Sequence, residues 1–351
     1  MALIVLSAGV DSLYLSFAGR LEPALLERLE ELKREARSSG QPVPISFEDG
    51  RPTVVLPYGW GFYAYSVHCS DFDFHLSGSE NVPPVYIRLS TLFLHSAGCE
   101  AAAAAAVAFV RDSLMQPLKP AVVSRIDVYA DFQGWQPVIE DFNRLVTRSV
   151  TNQAYFEPLQ VNQAGQRLSG FRFGKGSVVG RLYDKGLEIQ RSGKDWVRDV
   201  WGASYDAERP VWRLEFQLRR EAIGDFNVHG LNEVLACRQD FWSYGLRWLS
   251  LRDRTEDQQR DRWPVAPVWR QLSQVSLGSP VAGVLRRRVR EHQEKVLVRG
   301  LAGYLTSLAA LYGVRDLDRA VELSARKVRG HLDERRRSFG QVVANKRLQM
   351  V

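Results

Sequence analysis

The sequence has little of what builds disulfide frameworks and the common zinc sites. Its 351 residues include three cysteines, which are far apart, and no Cys-x-x-Cys or Cys/His pairing at zinc spacing occurs. Such sparse cysteines predict a reducing, cytoplasmic setting. The histidines are equally scattered, since His68 and His75 lie seven residues apart and His95 stands alone. Without a His-x-His pair a histidine-ligated metal is not expected, and we expect structural roles for these histidines.

Long hydrophobic runs are also missing. The apolar run at 101–110 ends between Glu100 and Arg111, so it is too short to span a bilayer and predicts an alanine-rich helix. The N-terminal apolar residues lack a basic leader and are interrupted by Asp11, so neither a secretory signal nor membrane association is expected. The sequence has no helicase P-loop, and any unwinding of a duplex would therefore need a partner protein.

Charge is plentiful, but it is unevenly spread. A hydrophobic content of 45% and a charged content of 25% are typical of a globular protein. The net charge is +7, and residues 281–351 alone carry 16 Lys or Arg against 7 Asp or Glu. The rest of the chain is therefore slightly acidic. This distribution favours a polyanionic partner that contacts the C-terminal region.

Three segments alternate apolar and charged residues with a two-residue period, namely 124–132 (SRIDVYADF), 179–189 (VGRLYDKGLEI) and 211–220 (VWRLEFQLRR). As strands, they would place polar side chains on one face and apolar side chains on the other. The polar set is Arg125, Asp127, Tyr129, Asp131, Arg181, Tyr183, Lys185, Arg213, Glu215, Gln217 and Arg219. A tyrosine, carboxylates and cations on a common surface are the parts of a phosphoryl-transfer site.

The chemistry of this face favours a divalent metal. Asp127, Asp131 and Glu215 would repel one another if they converged, so a pKa would rise or a cation would lie between them. Carboxylate oxygens suit Mg²⁺ or Mn²⁺. Tyr183 would then be the nucleophile, because a metal or cation favours its phenolate. Lys185 could neutralise that phenolate or a phosphate oxygen.

A non-catalytic explanation fits the same pattern. Arg and Asp pairs are common on solvated sheet faces, where cross-strand ion pairs contribute about 0.2–1 kcal/mol each. Tyr129 is expected to pack or to contact DNA rather than to act as a nucleophile.

At these segments the sequence resembles the Rep-trans family of rolling-circle replication initiators of plasmids and filamentous phages. The matching motifs are Arg125-Ile-Asp127 with Asp131, Tyr183-Asp-Lys185-Gly-Leu-Glu188, and Arg213-Leu-Glu215. The resemblance covers about residues 124–221. It implies that Tyr183 is the nicking nucleophile and forms a covalent phosphotyrosine. It also implies that Asp127 and Glu215, with Asp131 as the next candidate, hold the metal.

This resemblance implies an enzyme that nicks and rejoins one DNA strand at a replication origin. The implied partners are origin DNA, single-stranded at the nick, and a host helicase and polymerase. A homodimer is one option for the oligomeric state. A conjugative relaxase with the same chemistry, or a non-catalytic DNA-binding regulator on the same scaffold, is the alternative. Tyr129 and Tyr155 are the candidates for a second tyrosine that ends a replication cycle.

The pattern along the chain predicts an α+β fold with a central antiparallel or mixed sheet, followed by a mainly helical C-terminal region. We place the catalytic domain at 1–223 and a basic, helical DNA-binding region at 224–351. Helices are predicted at 140–150 and 231–251, a loop near 196–204, and a buried helix face for Trp242. The arginines expected to contact DNA are Arg125, Arg181, Arg213, Arg219, Arg286, Arg287, Arg288, Arg335, Arg336 and Arg337.

Overall fold

The structure is a computed structural model that describes residues 3–158, 166–228, 230–277, 284–335, 338–340 and 343, without the side chains of 284–296. Two compact units divide the chain, Met1–Leu285 and Arg286–Val351. The predicted domain boundary after Ile223 therefore falls inside the first unit. The reason is packing, because Trp242 and Trp269 from the region after Ile223 belong to the same hydrophobic core as the sheet.

Strands dominate the first unit. They are β1 (Ile4–Phe17), β2 (Val43–Ile45), β3 (Thr53–Val55), β4 (Tyr65–Cys69), β5 (Phe72–Leu76), β6 (Val85–Leu89), β7 (Val122–Gln133), β8 (Leu145–Thr147), β9 (Asn152–Pro158), β10 (Gln166–Phe173), β11 (Val178–Asp184), β12 (Trp212–Arg219) and β13 (Leu249–Leu251). All but β8 and β13 form one antiparallel sheet in the order β2-β3-β4-β5-β6-β1-β7-β12-β11-β10-β9. The described residues thus confirm the predicted α+β class, with an antiparallel sheet.

Helices flank this sheet. In the first unit they are α1 (Pro23–Ser39), α2 (Thr91–Ala97), α3 (Cys99–Phe109, prolonged by a π-type turn Val110–Leu114), α4 (Asp141–Arg144), α5 (Lys185–Ser192), α6 (Val197–Trp201), α7 (Arg220–Gly224), α8 (Leu231–Ala236), α9 (Arg238–Trp248) and α10 (Pro267–Leu272). The apolar sheet face packs against α3, α8 and α9. Trp242 of α9 is fully buried and contacts Phe216 of β12 edge to face, as predicted for a buried helix face.

A glycine sets the distance between α9 and the sheet. A Cβ added at Gly245 would lie 2.3 Å from the Phe216 ring, well inside van der Waals contact. The helix can therefore approach β12 closely only because this position has no side chain. This close approach holds the apolar face of β12 against α9. The polar side chains of β12 therefore point to the opposite face of the sheet.

Three predicted elements differ from the structure. The helix expected at 140–150 is the short α4 followed by β8, because Leu145–Thr147 pairs with Leu249–Leu251 of the segment expected to be helical. The loop expected near 196–204 contains α6. The strand expected at 179–189 ends at Asp184, whose side chain accepts a hydrogen bond from Leu187 N (3.0 Å) and caps α5. Tertiary pairing and a local cap thus outweighed the sequence pattern.

Two helices form the described part of the second unit, α11 (Val284–Leu311) and α12 (Leu317–Glu334). They confirm the mainly helical C-terminal region. Asp316 caps α12 by accepting a hydrogen bond from Arg319 N at 3.0 Å. Among the described helices, none is by itself long and apolar enough to cross a membrane, although Thr91–Ala97 and Cys99–Leu114 would pass together across a 115° bend.

Candidate active site

The three patterned strands lie side by side, and their polar residues share one face. Tyr183 of β11 is level with Arg213 of β12, which is level with Asp131 of β7. Two residues further along the sheet, the same strands align Arg181, Glu215 and Tyr129. A third row aligns Gln217 with Asp127. The alternation of the sequence therefore brought the predicted groups onto adjacent strands of one face.

Tyr183 is hydrogen-bonded to a carboxylate. Its Oη donates to Glu215 Oε2 at 3.1 Å, while Arg181 Nη1 donates to the other oxygen of Glu215 at 2.5 Å. Arg181 also donates to Gln217 Oε1 at 2.9 Å. Burial, and then the Glu215 carboxylate, raise the pKa of Tyr183 well above its usual value. The resting phenol is therefore protonated, with a carboxylate ready to accept the proton.

Asp127 is a buried carboxyl group next to Glu215. Arg125 donates to both of its oxygens, with Nε at 2.7 Å from Oδ1. Burial raises the pKa of Asp127 to about 7, and the like charge of Glu215 adds to the rise against the effect of Arg125. Arg181 Nη1 lies 3.8 Å from Asp127 Oδ2. One guanidinium nitrogen thus lies between the Asp127 and Glu215 carboxylates.

Arg213 and Asp131 form a buried ion pair on the two strands beside Tyr183. Both side chains are 0% exposed, and the two hydrogen bonds measure 2.5 Å (Nε to Oδ1) and 2.8 Å (Nη2 to Oδ2). Arg213 Nη1 also bonds to Asp11, and Trp201 Nε1 donates to Asp131 Oδ2 at 2.8 Å. Burial alone would raise the pKa of Asp11, but Arg213, Lys185 and His95 together lower it below its usual value. Removing either partner would leave a buried charge uncompensated.

Tyr129 is part of the scaffold of this site. It is buried, and the Arg213 guanidinium lies 3.9 Å from its ring centroid. Its Oη is 2.7 Å from Ser7 Oγ and 3.4 Å from His95 Nε2. These contacts agree with the predicted packing role. His95 therefore packs against the site, and burial, then Arg213, lower its pKa.

Lys185 lies near Tyr183 but not on its strand. It is the first residue of α5, is buried, and donates to Glu188 Oε2 at 2.5 Å. Its Nζ lies 5.9 Å from the centroid of the Tyr183 ring. The expected common strand face is therefore wrong for Lys185, because the chain turns into a helix at Asp184. The helix nonetheless keeps the ammonium beside the tyrosine.

The arginines predicted to contact DNA occupy different environments. Arg125 and Arg181 are partly exposed, Arg213 is fully buried, and Arg219 is exposed at the end of β12. Arg335 is exposed just after α12. Arg286, Arg287 and Arg288 lie in α11 with side chains outside the description, and Arg336 and Arg337 lie outside the described residues. The predicted contact with DNA is wrong for Arg213, because its guanidinium is fully buried and bonded to Asp131 and Asp11. For the other arginines it stays a prediction.

Sequence reasoning missed Asp11 and Trp201 as members of this site. In β1, Val10 and Ser12 pair with the adjacent residues Val128 and Asp127, so Asp11 is the extra residue of a β-bulge. Bulges redirect side chains and often lie beside active sites. An acidic residue inside an otherwise apolar strand was the one available signal for Asp11.

The donor set suits a hard divalent cation. Asp127 and Glu215 present carboxylate oxygens on either side of Arg181 Nη1, and Arg125 also bonds both oxygens of Asp127. Mg²⁺ is often held by one or two carboxylates, with water and substrate phosphates as further ligands. Within the described part of the chain, no group of three or more His, Cys, Asp or Glu residues could hold a metal ion. Both oxygens of Asp131 are already bonded to Arg213.

No known family model matches the sequence, and no curated protein matches it. Among solved structures, the chain is similar to a rolling circle replication initiator protein from Geobacillus stearothermophilus, with 15% sequence identity and a TM-score of 0.47. The alignment covers 80% of this chain and 100% of that chain.

Proposed function

We propose that this protein nicks and rejoins one DNA strand through a covalent phosphotyrosine at Tyr183. The observation that carries this proposal is the 3.1 Å hydrogen bond from Tyr183 Oη to Glu215 Oε2 on a face that also holds cations. A nucleophile paired with its own base is the arrangement that covalent catalysis requires. The order and spacing of the three motifs shared with the Rep-trans initiators support the same assignment.

The raised pKa of Tyr183 defines the chemical step. Because the phenol is protonated at rest, its proton must leave as the oxygen attacks phosphorus, and Glu215 is placed to accept it. The phosphorus–oxygen bond to the leaving deoxyribose then breaks, and that oxygen takes a proton to become a free hydroxyl. The phosphodiester is exchanged for a phosphotyrosine diester, so the reverse reaction can rejoin the strand.

The remaining groups have separate roles in this proposal. Asp127 and Glu215 would hold Mg²⁺ or Mn²⁺, and the bound cation would polarise the scissile phosphate. Lys185, next to the Tyr183 ring, offers positive charge to the developing phosphotyrosine. We assign Arg213 and Asp131 to positioning, since their mutual ion pair is fully buried and level with the tyrosine on the adjacent strands. In this proposal the biological substrate is a plasmid or phage origin.

A covalent adduct assay tests the proposal. The full-length protein is incubated with Mn²⁺ and a library of supercoiled plasmids that carry DNA flanking its gene, and adducts that survive detergent are digested and mapped by mass spectrometry. We expect nicked circles and an adduct on Tyr183. Tyr183→Phe should abolish the adduct, whereas Tyr155→Phe, a tyrosine on the same sheet with an exposed side chain, should retain it.

Two results would contradict the enzyme. Wild-type protein that binds these plasmids without nicking them would favour a DNA-binding regulator on the same scaffold. An adduct on a different tyrosine would remove Tyr183 from its role while leaving the reaction class intact.

A further inference from the structure

The polar sheet face continues beyond the candidate site onto β6, β5 and β4. Arg125 of β7 is level with Tyr14 of β1, and Tyr14 is level with Arg88 of β6. Next to this row, Tyr86 of β6 is level with His75 of β5. Residues level with one another on antiparallel strands point to the same side. The face that carries Tyr183 is therefore continuous with this second region.

Aromatic rings and arginines alternate across this region, which we call the aromatic track (Trp60, Tyr86, Arg88, Tyr14 and Arg125). Trp60 stacks on Tyr86 with ring centroids 5.4 Å apart. The Arg88 guanidinium lies 5.7 Å from the Trp60 centroid and 5.2 Å from that of Tyr14. Arg125 lies 4.8 Å from Tyr14 on the other side. The track thus ends at the residue that binds Asp127.

A glycine-supported turn places the exposed end of the track. Trp60 and Tyr63 exchange backbone hydrogen bonds of 3.0 and 2.9 Å across the turn. A Cβ at Gly59 would lie 2.3 Å from the Tyr63 carbonyl oxygen, and Gly61 has a φ of 55°, so both positions favour glycine. The turn leaves Trp60 41% exposed and Phe62 86% exposed. Large apolar rings exposed together on a defined turn are typical of an interaction site.

Of the two arginines of the track, Arg125 is paired with Asp127, whereas Arg88 has no carboxylate partner among the described residues. In the described structure the buried Nε of Arg88 has no hydrogen-bond partner, and its cross-strand neighbour Asp73 pairs instead with His68 at 2.5 Å. Burial, then Arg88, lower the pKa of His75 to about 4, so this histidine is neutral near pH 7. Arg88 is therefore a cation held between aromatic rings and available to an anion.

We infer that the aromatic track, together with the exposed Phe62 on the same turn as Trp60, binds single-stranded DNA, with bases stacked on Trp60 and Phe62 and the phosphate backbone contacting Arg88 and Arg125. Exposed rings with interleaved arginines are the combination by which proteins hold unpaired bases without strong sequence preference. From β6 to β11 the strand spacing gives about 19 Å, which unpaired nucleotides can span to reach Tyr183. The inference deepens the proposed function, because it names the form of DNA that this face accepts.

Fluorescence anisotropy with labelled dT20 and a labelled 20-base-pair duplex tests this inference on the full-length protein. Phe62→Ala and Arg88→Gln should each weaken dT20 binding about tenfold, while duplex binding changes less than twofold. Phe62→Ala is the primary variant, because the exposed Phe62 ring contributes little to the folded core. Phe156→Ala is the matched control, because that ring is 45% exposed but lies level with Leu168, which packs against the core side of the sheet.

The outcomes separate this inference from the nicking proposal. Unchanged dT20 affinity in both Phe62→Ala and Arg88→Gln would overturn the track, as would a wild-type dimer that Phe62→Ala converts to monomer. Tyr183→Phe should bind dT20 as the wild type does, so loss of nicking alone leaves the track standing. Conversely, if the wild-type protein nicks DNA but the track variants bind dT20 as tightly as the wild type, only the inference about the track is contradicted.

Discussion

At the scale of single residues, the site depends on how buried charges compensate one another. Arg213 is shared by Asp131 and Asp11, while Arg181 is shared by Glu215 and Asp127. The first group is closed, because every charge in it has a buried partner. The second differs, because Glu215 also accepts a hydrogen bond from the candidate nucleophile Tyr183, and burial raises the pKa of Asp127. We therefore expect the Arg181 group to take part in the reaction and the Arg213 group to hold the site rigid.

Glu215→Gln tests the role of the base. The amide keeps the size of the side chain and can still accept a hydrogen bond from Tyr183, but it cannot take up the phenol proton. We expect adduct formation to slow by about 100-fold or more, with dT20 affinity within twofold of the wild type. Single-turnover kinetics over a pH range would measure this. A rate equal to that of the wild type would exclude Glu215 as the base.

The pH dependence of stability isolates His75. Its folded pKa of about 4 lies below the usual 6.5, so the unfolded chain binds more protons between these values. Stability should therefore be complete above pH 6.5 and should fall by up to about 3 kcal/mol as the pH drops to 4. Urea unfolding of the wild type and His75→Gln at pH 7 and pH 4.5 would show this loss as a difference between the two proteins. A difference that is independent of pH would contradict the assignment.

At the scale of elements, the decisive feature is the passage from β11 to α5. Tyr183 lies one residue before the end of the strand, Asp184 ends the strand and caps the helix, and Lys185 begins the helix. The cap therefore turns the chain so that the ammonium lies beside the ring rather than across the sheet. If β11 had continued past Asp184, Lys185 would have lain further along the polar face.

Substitution of Asp184 tests this arrangement. Asp184→Ala should lower the free energy of unfolding by about 1 kcal/mol, because the hydrogen bond to Leu187 N is lost. It should also slow adduct formation, since Lys185 loses its fixed position. Asp184→Asn is the control, because asparagine caps helices about as well as aspartate. If Asp184→Asn lost as much stability and adduct formation as Asp184→Ala, the negative charge of Asp184 would matter rather than its capping hydrogen bond.

The sequence pattern predicted the shared polar face because a two-residue period is a property of each strand alone. It also predicted the mainly helical C-terminal region in which α11 and α12 lie. The helix expected at 140–150 was wrong because the pairing of Leu145–Thr147 with Leu249–Leu251 depends on residues a hundred positions away. Asp11 was missed because a bulge is set by the neighbouring strand. The aromatic track was missed for a similar reason, since its members come from four separate segments.

At the scale of the whole molecule, the proposed function makes net charge the main factor in how the protein would bind duplex DNA. The excess of +7 is concentrated in the C-terminal residues, and α12 exposes Arg326 and Arg329. The sheet face that carries the candidate active site, in contrast, pairs most of its charges internally. Recognition of duplex DNA and chemistry on one strand are therefore expected to use different surfaces.

Salt dependence of duplex binding tests this division. Arg326→Gln combined with Arg329→Gln should reduce the slope of log affinity against log salt by about 2, as expected for two lost phosphate contacts. Arg28→Gln with Arg34→Gln, two exposed arginines of α1, is the charge-matched control and should leave the slope unchanged. Equal effects of the two pairs would mean that only total charge matters.

Arg181 gives the resting site a built-in counter-ion. A divalent cation entering between Asp127 and Glu215 would have to displace this guanidinium, and the displaced group would then need another anion. A DNA phosphate supplies one. Metal and DNA would consequently bind with positive coupling, each more tightly in the presence of the other, and by thermodynamic reciprocity to the same degree. The free protein would thus be slow to load metal, and the site would become reactive only once its substrate is in place.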